Sequence, residues 1–242
     1  MWFFRRIDLF DLIQGYRFVS FVGGGGKTSL AEWVAAAGTR RGKTVLITTT
    51  TKIYAKGPYI LMENYRPGSA RERGLPLRVG KTVDGRKLTG LSEEEVLRLG
   101  AEADLVLIEA DGAKRMPLKA PAPYEPVIPA CSDVVVVVAG LDALGARVSE
   151  KVFRRDLWYK ATGMEGDPLI TPDVFSRFFS DDLLMKGVDR SRCLIALNKY
   201  DRAGRRNGVL ELGRQIAERA GVPKVLITSP RLGVFYSIER VL

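Results

Sequence analysis

Residues 21–28 of this 242-residue chain have the sequence FVGGGGKT, and such a run could bind phosphate groups. It lies between an apolar segment, 17–22, that predicts a strand and a segment, 28–39, with apolar residues at helical spacing. Glycines let successive backbone N–H groups point at one centre, and the helix N-terminus adds partial positive charge. We therefore predict a phosphate-binding loop. Its candidate contacts are Gly23, Gly24, Gly25, Gly26, Lys27, Thr28 and Ser29.

Two side chains of this loop would carry its chemistry. Lys27 would reach the terminal phosphates of a nucleotide, and Thr28 would place its hydroxyl on Mg²⁺. The first glycine of the usual motif would fall at position 21, which is Phe21. The loop therefore resembles the deviant phosphate loops of the SIMIBI class, although Val22 stands where those loops carry a signature lysine. The alternative is a flexible glycine-rich turn.

A second run, LVLIEADG at 105–112, brings an apolar strand directly to two carboxylates. It resembles a Walker B strand, whose carboxylate holds Mg²⁺ or orients an attacking water. We predict Glu109 and Asp111 as metal ligands together with Thr28, and as catalytic residues together with Lys27. Because the chain has no histidine, these two carboxylates are also the leading candidates for a general base. The alternative is an Asp-Gly turn that closes the strand.

A third run, NKYD at 198–201, follows another apolar strand late in the chain. Asn-Lys-x-Asp in this position resembles the guanine-binding motif of GTPases, where the Asp carboxylate accepts from base groups that adenine lacks. Asn198, Lys199 and Asp201 are the candidate contacts, and residues 228–229 would provide the next loop beside the base. The sequence leaves GTP and ATP both open, since base choice depends on contacts that it does not show.

Thr50 and Lys52 belong to the run TTTTK that ends the second predicted strand. Parallel sheets bind ligands beyond the carboxyl ends of their strands, so these two residues are candidate contacts to phosphate or to Mg²⁺-bound water. The alternative is a β-branched strand end without a binding role.

Three cations follow the Walker B carboxylates in the proline-containing segment GAKRMPLKAP, 112–121. We predict that Lys114, Arg115 and Lys119 form an anion clamp, either for the nucleotide or for a second phosphorylated ligand. The alternative is a charged surface loop.

Composition excludes several chemistries. Without histidine there is no Ser-His-Asp triad, no Cys-His dyad and no His-ligated zinc. Two cysteines are too few for a four-thiolate metal site or a disulfide framework, which favours a reduced, cytoplasmic setting. The apolar start is followed at once by Arg5 and Arg6, and the longest apolar stretch is interrupted by Asp142. We expect a soluble cytoplasmic protein with no membrane partner.

The formal net charge is +10, from 38 Lys and Arg against 28 Asp and Glu. The densest cationic cluster comprises Arg66, Arg71, Arg73, Arg78, Lys81, Arg86 and Lys87. Few aromatic residues are interleaved with it, so the stacking pattern of single-strand binders is missing and nucleic acid is the least favoured partner. A solvated basic insert and a surface for a phosphate-rich ligand or an acidic partner both remain open.

Strands and helices are predicted to alternate along the chain. Further strands are predicted at 44–50, 104–109, 134–138, 192–197 and 222–228, and further helices from 92, at 148–160, 171–179 and 208–220, with a closing helix at the C-terminus. Strands that are apolar on both faces predict a mainly parallel sheet covered by helices on both sides. We expect one domain, 1–242, with a three-layer α/β fold like that of P-loop NTPases. An irregular basic insert, about 57–90, would carry a small β-hairpin turning at 84–85.

Taken together, these motifs carry a family resemblance. The blocks GGGGKT, TTTTKI, EADGAKRMPLKAP, EPVIP at 125–129 and GLDALG at 140–145 resemble the selenium-dependent hydroxylase accessory proteins of the YqeC family. The resemblance implies a cytoplasmic accessory protein for the maturation of molybdenum hydroxylases through their molybdenum cofactor. Phe153-Arg154 stands where relatives carry His-Arg, so a role for that histidine does not transfer to this chain.

Three classes of function remain open from the sequence. The first is a GTP or ATP hydrolase with Mg²⁺ that acts on the molybdenum cofactor or on a hydroxylase client. The second is a kinase or nucleotidyltransferase acting on a small phosphorylated, pterin-type molecule. The third is a binding module that holds nucleotide without turnover. Whether the chain forms a homodimer is also left open.

Overall fold

The structure is a computed structural model that describes residues 2–55, 57–69, 74–203 and 208–240. In chain order the strands of these residues are β1 (Trp2–Arg6), β2 (Phe18–Gly23), β3 (Val45–Thr49), β4 (Lys52–Tyr54), β5 (Tyr59–Leu61), β6 (Leu77–Gly80), β7 (Val83–Asp84), β8 (Lys87–Thr89), β9 (Leu105–Glu109), β10 (Leu118–Lys119), β11 (Val134–Gly140), β12 (Val152–Phe153), β13 (Cys193–Asn198), β14 (Lys224–Ser229) and β15 (Val234–Arg240). The α-helices are α1 (Leu9–Ile13), α2 (Lys27–Arg40), α3 (Glu93–Gly100), α4 (Val148–Lys151), α5 (Arg155–Thr162), α6 (Pro172–Ser176) and α7 (Val209–Ala220).

Ten of the strands form one sheet in the order β1-β15-β14-β13-β11-β2-β9-β3-β6-β5. All neighbours from β14 to β5 are parallel, whereas β15 runs antiparallel to both β14 and β1. The strand that leads into the glycine-rich loop, β2, lies inside the sheet between β11 and β9, and all its residues are buried. The loop is therefore anchored on both sides by hydrogen-bonded strands.

Buried apolar residues on the two faces of the sheet form three clusters, of which the smallest packs α3 against β6 and β9. Alternation along β11 shows the division, because Val136 packs in the cluster that contains α1 and α2, and Val137 packs in the opposite one. The second cluster is built around Trp158 of α5 and includes residues of α6 and α7. These are the three layers, helix, sheet and helix, that the sequence predicts, and the α/β fold class is confirmed.

The described residues contain neither a disulfide nor a helix that could span a bilayer. Cys131 and Cys193 are both free thiols. Burial raises the pKa of the Cys193 thiol to about 12, so it is unreactive near neutral pH. None of the described helices combines the length and the apolar character that a membrane crossing requires.

The prediction of a closing helix at the C-terminus is wrong, because those residues form β15. This strand pairs with β14 on one side and with β1 on the other, so Phe4 lies opposite Ile238 and Ile227 lies opposite Tyr236. The pairing of β15 with β1 joins the two ends of the chain. No local pattern signals such a contact, and neither β1 nor α1 was predicted.

The predicted helix over 148–160 is interrupted. α4 ends at Lys151, two residues then pair with β10 as β12, and α5 begins at Arg155. Between them Arg154 has φ +57°, a left-handed conformation that a right-handed helix cannot continue through. The helix predicted at 171–179 is also shorter than expected, since α6 ends at Ser176.

The basic insert is only partly irregular. The predicted hairpin is present as β7 and β8, and Gly85 at its turn has φ +59°. However, β5 and β6 add two parallel strands to the main sheet, which the composition of the insert did not predict. Arg78 lies on β6 and is only 4% exposed, so it is not part of a solvated surface. Arg71 and Arg73 of the predicted cationic cluster lie outside the described residues.

Candidate functional site

The glycine-rich loop joins β2 to α2 and packs tightly against neighbouring backbone. Gly23, Gly25 and Gly26 have φ of +94°, +71° and +104°, values that residues with a Cβ rarely adopt. A Cβ on Gly25 would lie 2.1 Å from the Gly140 nitrogen, and one on Gly23 would lie 2.3 Å from the Val138 carbonyl oxygen. The loop therefore requires glycine both for its backbone conformation and for close packing.

Residues 112–119, which we call the strap, cross the loop. The backbone N–H of Gly25 donates to the Met116 carbonyl at 3.0 Å, and that of Gly24 donates to the Val138 carbonyl at 2.9 Å. In a phosphate-binding loop such N–H groups are the donors to phosphate oxygens. Binding of a nucleotide at these two donors would therefore replace their bonds to protein carbonyls.

Lys27 begins α2 and is turned back onto the loop. Its ammonium donates to the Gly23 carbonyl at 2.5 Å and lies 2.9 Å from Asp111 Oδ1. Asp111 also accepts from the Gly23 N–H at 2.9 Å through Oδ2. Both charged side chains are buried, with 5% and 3% exposure. Asp111 is thus the anion that pairs with the loop lysine in this structure.

Thr28 and Glu109 form a second contact at the same end of the sheet. The Thr28 hydroxyl donates to Glu109 Oε2 at 3.0 Å. The other oxygen, Oε1, is buried and has no hydrogen-bond partner among the described residues. Burial raises the pKa of Glu109, against the opposing attraction of Lys27 and the hydrogen bond from Thr28. A buried carboxylate oxygen without a donor fits a bound cation.

These residues suit Mg²⁺ better than a metal held by protein alone. The described residues contain no group of three or more His, Cys, Asp or Glu side chains placed to hold a metal ion. Mg²⁺ usually binds through one or two carboxylates, with phosphates and water completing its coordination. Glu109 and Thr28 match that partial ligand set, whereas the oxygens of Asp111, the third predicted metal ligand, are engaged by Lys27, Gly23 and Lys119.

The NKYD motif lies beside the glycine-rich loop. The Asn198 amide donates to the Gly25 carbonyl at 2.9 Å and accepts from the Thr228 hydroxyl at 3.0 Å. Lys199 pairs with Asp142 at 2.8 Å. The Ser229 hydroxyl donates to Asp201 Oδ1 at 2.7 Å, which fixes the orientation of that carboxylate.

Other predicted contacts do not converge on the loop in this structure. The Thr50 hydroxyl donates to the Val127 carbonyl, Lys52 pairs with Asp84 of the hairpin, and Ser29 is exposed on α2. Lys114 and Arg115 are exposed and stack on aromatic rings outside the loop. Their roles in nucleotide binding stay predictions.

Lys119 is fully buried and completes a chain of alternating charges. Its ammonium lies 3.0 Å from Asp111 and 2.6 Å from Glu125, and it donates to the Gly112 carbonyl at 2.8 Å. Glu125 also binds the Arg154 guanidinium through both its oxygens. The ion-pair chain therefore runs Lys27–Asp111–Lys119–Glu125–Arg154. Burial opposes ionisation of Glu125, but the hydrogen bonds from Arg154 and Lys119 outweigh it and lower its pKa.

Sequence reasoning missed the roles of Glu125 and Arg154 in this chain. The available signal was a lone carboxylate in the proline-rich loop that follows three cations. For Arg154 the signal was the arginine that Phe153-Arg154 shares with the His-Arg of relatives, but the local pattern placed this residue inside a helix, whereas its backbone is left-handed.

Comparisons with known proteins identify relatives of the motif-bearing part of the chain. The family model described as YqeC protein matches residues 19–156. A protein of Escherichia coli strain K12, described as uncharacterized protein YqeC, is 38% identical over 161 residues. That match spans 62% of this chain and 62% of the relative. Among solved structures, hydrogenase maturation factor HypB from Archaeoglobus fulgidus is similar with a TM-score of 0.48 and 15% identity, over 91% of this chain and 85% of that chain.

Proposed function

The chain belongs to the YqeC family, and from this premise and the geometry of the site we propose that it binds GTP with Mg²⁺ and hydrolyses it. The observation that carries the proposal is the 2.9 Å hydrogen bond from the Asn198 amide to the Gly25 carbonyl. This bond brings the phosphate-binding loop and the base-binding motif into contact. One bound nucleotide can therefore place its phosphates on the loop and its base beside Asp201.

The phosphate end of the site uses Lys27 and the loop N–H groups. Lys27 leaves Asp111 to neutralise the terminal phosphates, and the donors of Gly24 and Gly25 exchange protein carbonyls for phosphate oxygens. Glu109 and Thr28 would hold Mg²⁺, which when bound would neutralise charge on the phosphate oxygens. Asp111, released from Lys27, is then a carboxylate next to the phosphates that can orient an attacking water.

The base end of the site favours guanine. Asp201 is held by Ser229, and its carboxylate can accept from two N–H groups on one edge of guanine. Adenine offers no such pair of donors on the corresponding edge. When the wrong base leaves the polar groups of a site unpaired, the loss of affinity is much larger than the loss that an apolar pocket suffers with a wrong ligand. This difference supports GTP over ATP.

In the cell, we place this activity in the maturation of selenium-dependent molybdenum hydroxylases. The support is the family resemblance in residues 109–121, which contain the Walker B carboxylates and the strap. Molybdenum content and activity of such a hydroxylase would be measured in cells that lack the protein and carry either wild type or Lys27→Ala. Restoration by wild type alone is the expected result, and equal restoration by both would remove the nucleotide from this role.

A ligand panel tests the biochemical proposal directly. Thermal shift with GTP, ATP and CTP, with and without Mg²⁺, should show stabilisation by GTP that increases with Mg²⁺. A ligand at a hundredfold excess over its Kd stabilises a protein by about 2.7 kcal/mol. Lys27→Ala should lose this stabilisation and all phosphate release, whereas the exposed Lys160→Ala should retain both.

Equal stabilisation by ATP and by GTP would overturn the assignment of guanine as the base. Tight GTP binding without phosphate release would leave a binding module, and release only with an added acceptor would indicate a transferase.

A further inference from the structure

Cations and aromatic rings alternate on the surface beside the strap. We call this surface the cation–ring strip. It consists of Tyr54, Lys114, Arg115, Tyr124, Phe153 and Arg154. The strip is continuous, because two of its cations are neighbours in the strap and each of these stacks on a ring from a different element.

The stacking distances define the strip. The Arg115 guanidinium lies 4.8 Å from the centroid of the Tyr54 ring, and the Lys114 ammonium lies 5.2 Å from that of Phe153. Arg154 lies 4.5 Å from the Phe153 centroid and 5.9 Å from the Tyr124 centroid. Stacking of this kind restrains long cationic side chains before any partner binds, which reduces the entropy lost on binding.

The strip has excess positive charge. In the described part of the chain, no carboxylate lies within 4 Å of Lys114 or Arg115, and both are exposed. Both also have positive φ, +46° and +65°, a costly backbone conformation at two consecutive residues. Tyr124 is 72% exposed at the end of the strip. These features indicate a surface arranged to receive negative charge.

The arrangement favours an extended partner over a small anion or a nucleic acid. Lys114 and Arg115 stack on rings of different elements, so they spread apart rather than converge on one phosphate-sized point. Single-stranded nucleic acid needs free ring faces for its bases. Here two cations lie over Tyr54 and two lie over Phe153.

We infer that the cation–ring strip is a docking surface for an acidic segment of a partner protein, and that nucleotide in the loop weakens this docking. The second part rests on the proposed function. It follows from the ion-pair chain, whose two ends are Lys27 of the loop and Arg154 of the strip.

The direction of the coupling follows from charge. When phosphates take Lys27 from Asp111, the remaining partner of Asp111 is Lys119, and Lys119 is shared with Glu125. Glu125 then holds Arg154 more strongly, which makes that cation less available to an acidic partner. The phosphates also add negative charge to the loop. Both effects weaken docking, and by linkage docking weakens nucleotide binding by the same factor.

Fluorescence anisotropy with a fluorescein-labelled deca-glutamate peptide tests the surface in the nucleotide-free protein. We expect saturable binding that falls at least tenfold in Lys114→Asn/Arg115→Asn, since asparagine tolerates positive φ. Arg214→Gln/Arg219→Gln, on the exposed face of α7, removes the same charge and should change the affinity less than twofold. Circular dichroism establishes that each variant is folded, and the single variants Lys114→Asn and Arg115→Asn, measured separately, replace the double variant if it is not.

Three results would overturn the assignment of the cation–ring strip as a docking surface. They are an absence of saturable binding to wild type, an equal loss of peptide affinity in both double variants, and tighter binding of labelled oligothymidine that depends on Lys114 and Arg115.

The coupling is tested by repeating the titration with saturating Mg²⁺-GTP, which should weaken peptide binding at least fivefold in wild type. Glu125→Gln should reduce that response while it retains peptide binding. Unchanged affinity with GTP bound would overturn the coupling alone. If GTP does not bind at all, the proposed function fails, and the nucleotide-free titration still decides the surface.

Discussion

Lys119 and Asp111 form an ion pair, 3.0 Å between Nζ and Oδ2, in which the lysine is 0% and the aspartate 3% exposed. The pair lies between the glycine-rich loop and the strap, and each partner has a second ion pair, to Glu125 and to Lys27. Buried charges are tolerated when each is paired and hydrogen bonded, and loss of one partner removes part of the charge that compensates the other. This pair is therefore a structural requirement of the site before any ligand is present.

Lys119→Met should be strongly destabilising. The methionine matches the lysine stem but leaves Asp111 and Glu125 without their shared cation, and removal of one partner of a buried pair costs about 3–5 kcal/mol. Urea unfolding would measure the change in the free energy of unfolding. Lys160→Met, at an exposed position of α5, should change it by less than about 0.5 kcal/mol. If Lys119→Met lowers the free energy of unfolding no more than the control does, the central role of this lysine is contradicted.

Gly25→Ala should destabilise the protein more than a left-handed backbone alone explains. Gly25 and Gly42 have similar φ, +71° and +76°, but only at Gly25 would the added Cβ meet backbone, 2.1 Å from the Gly140 nitrogen. Gly42→Ala therefore measures the conformational cost, about 1–2 kcal/mol. Denaturant unfolding of both variants separates the cost of the left-handed backbone from the cost of the clash with Gly140. Equal losses would mean that β2 and β11 can move apart around the loop.

The motifs that carry chemistry could be predicted because each is local in sequence. FVGGGGKT, LVLIEADG and NKYD each follow an apolar strand, and parallel strands bring their carboxyl ends to one edge of the sheet. The contacts of Thr28 with Glu109 and of Asn198 with Gly25 arise from this topology.

The remaining features depend on contacts between distant segments. β15 pairs with β1 at the opposite end of the chain, and β5 and β6 join the sheet from a segment rich in Gly, Pro and Arg. The burial of Lys119 depends on Glu125, and the position of Arg154 depends on a left-handed residue within an amphipathic pattern. In each case local propensity favours another outcome, and packing against a distant segment decides.

Glu125 should make stability depend on pH in the acid range. Its pKa is lowered in the folded protein from an ordinary value of 4.5, so its ionised form contributes stability above that pH. The contribution is lost as pH falls through the lower folded pKa. Glu125→Gln should therefore be less stable than wild type at pH 7, and the difference should narrow as the pH falls below about 4.5. Urea unfolding over a pH series measures this difference in the free energy of unfolding. The control is Glu165→Gln at an exposed position, whose free energy of unfolding should equal that of wild type at every pH. A difference that does not change with pH would show that the carboxylate charge is not what Glu125 contributes.

Asp201→Asn should change the base that the site accepts. A carboxylate accepts from the two guanine N–H groups, whereas the asparagine amide offers both a donor and an acceptor, which matches the oxygen and N–H of xanthine. We expect GTP affinity to fall by about a hundredfold, because the guanine N–H groups lose a charged acceptor, and XTP affinity to rise above that of wild type. Competition against a fluorescent guanine nucleotide measures both. Asp142→Asn, which loses the pair with Lys199 and not the base contact, should weaken both nucleotides without reversing their order. Undiminished GTP binding by Asp201→Asn would show that the carboxylate held by Ser229 does not contact the base.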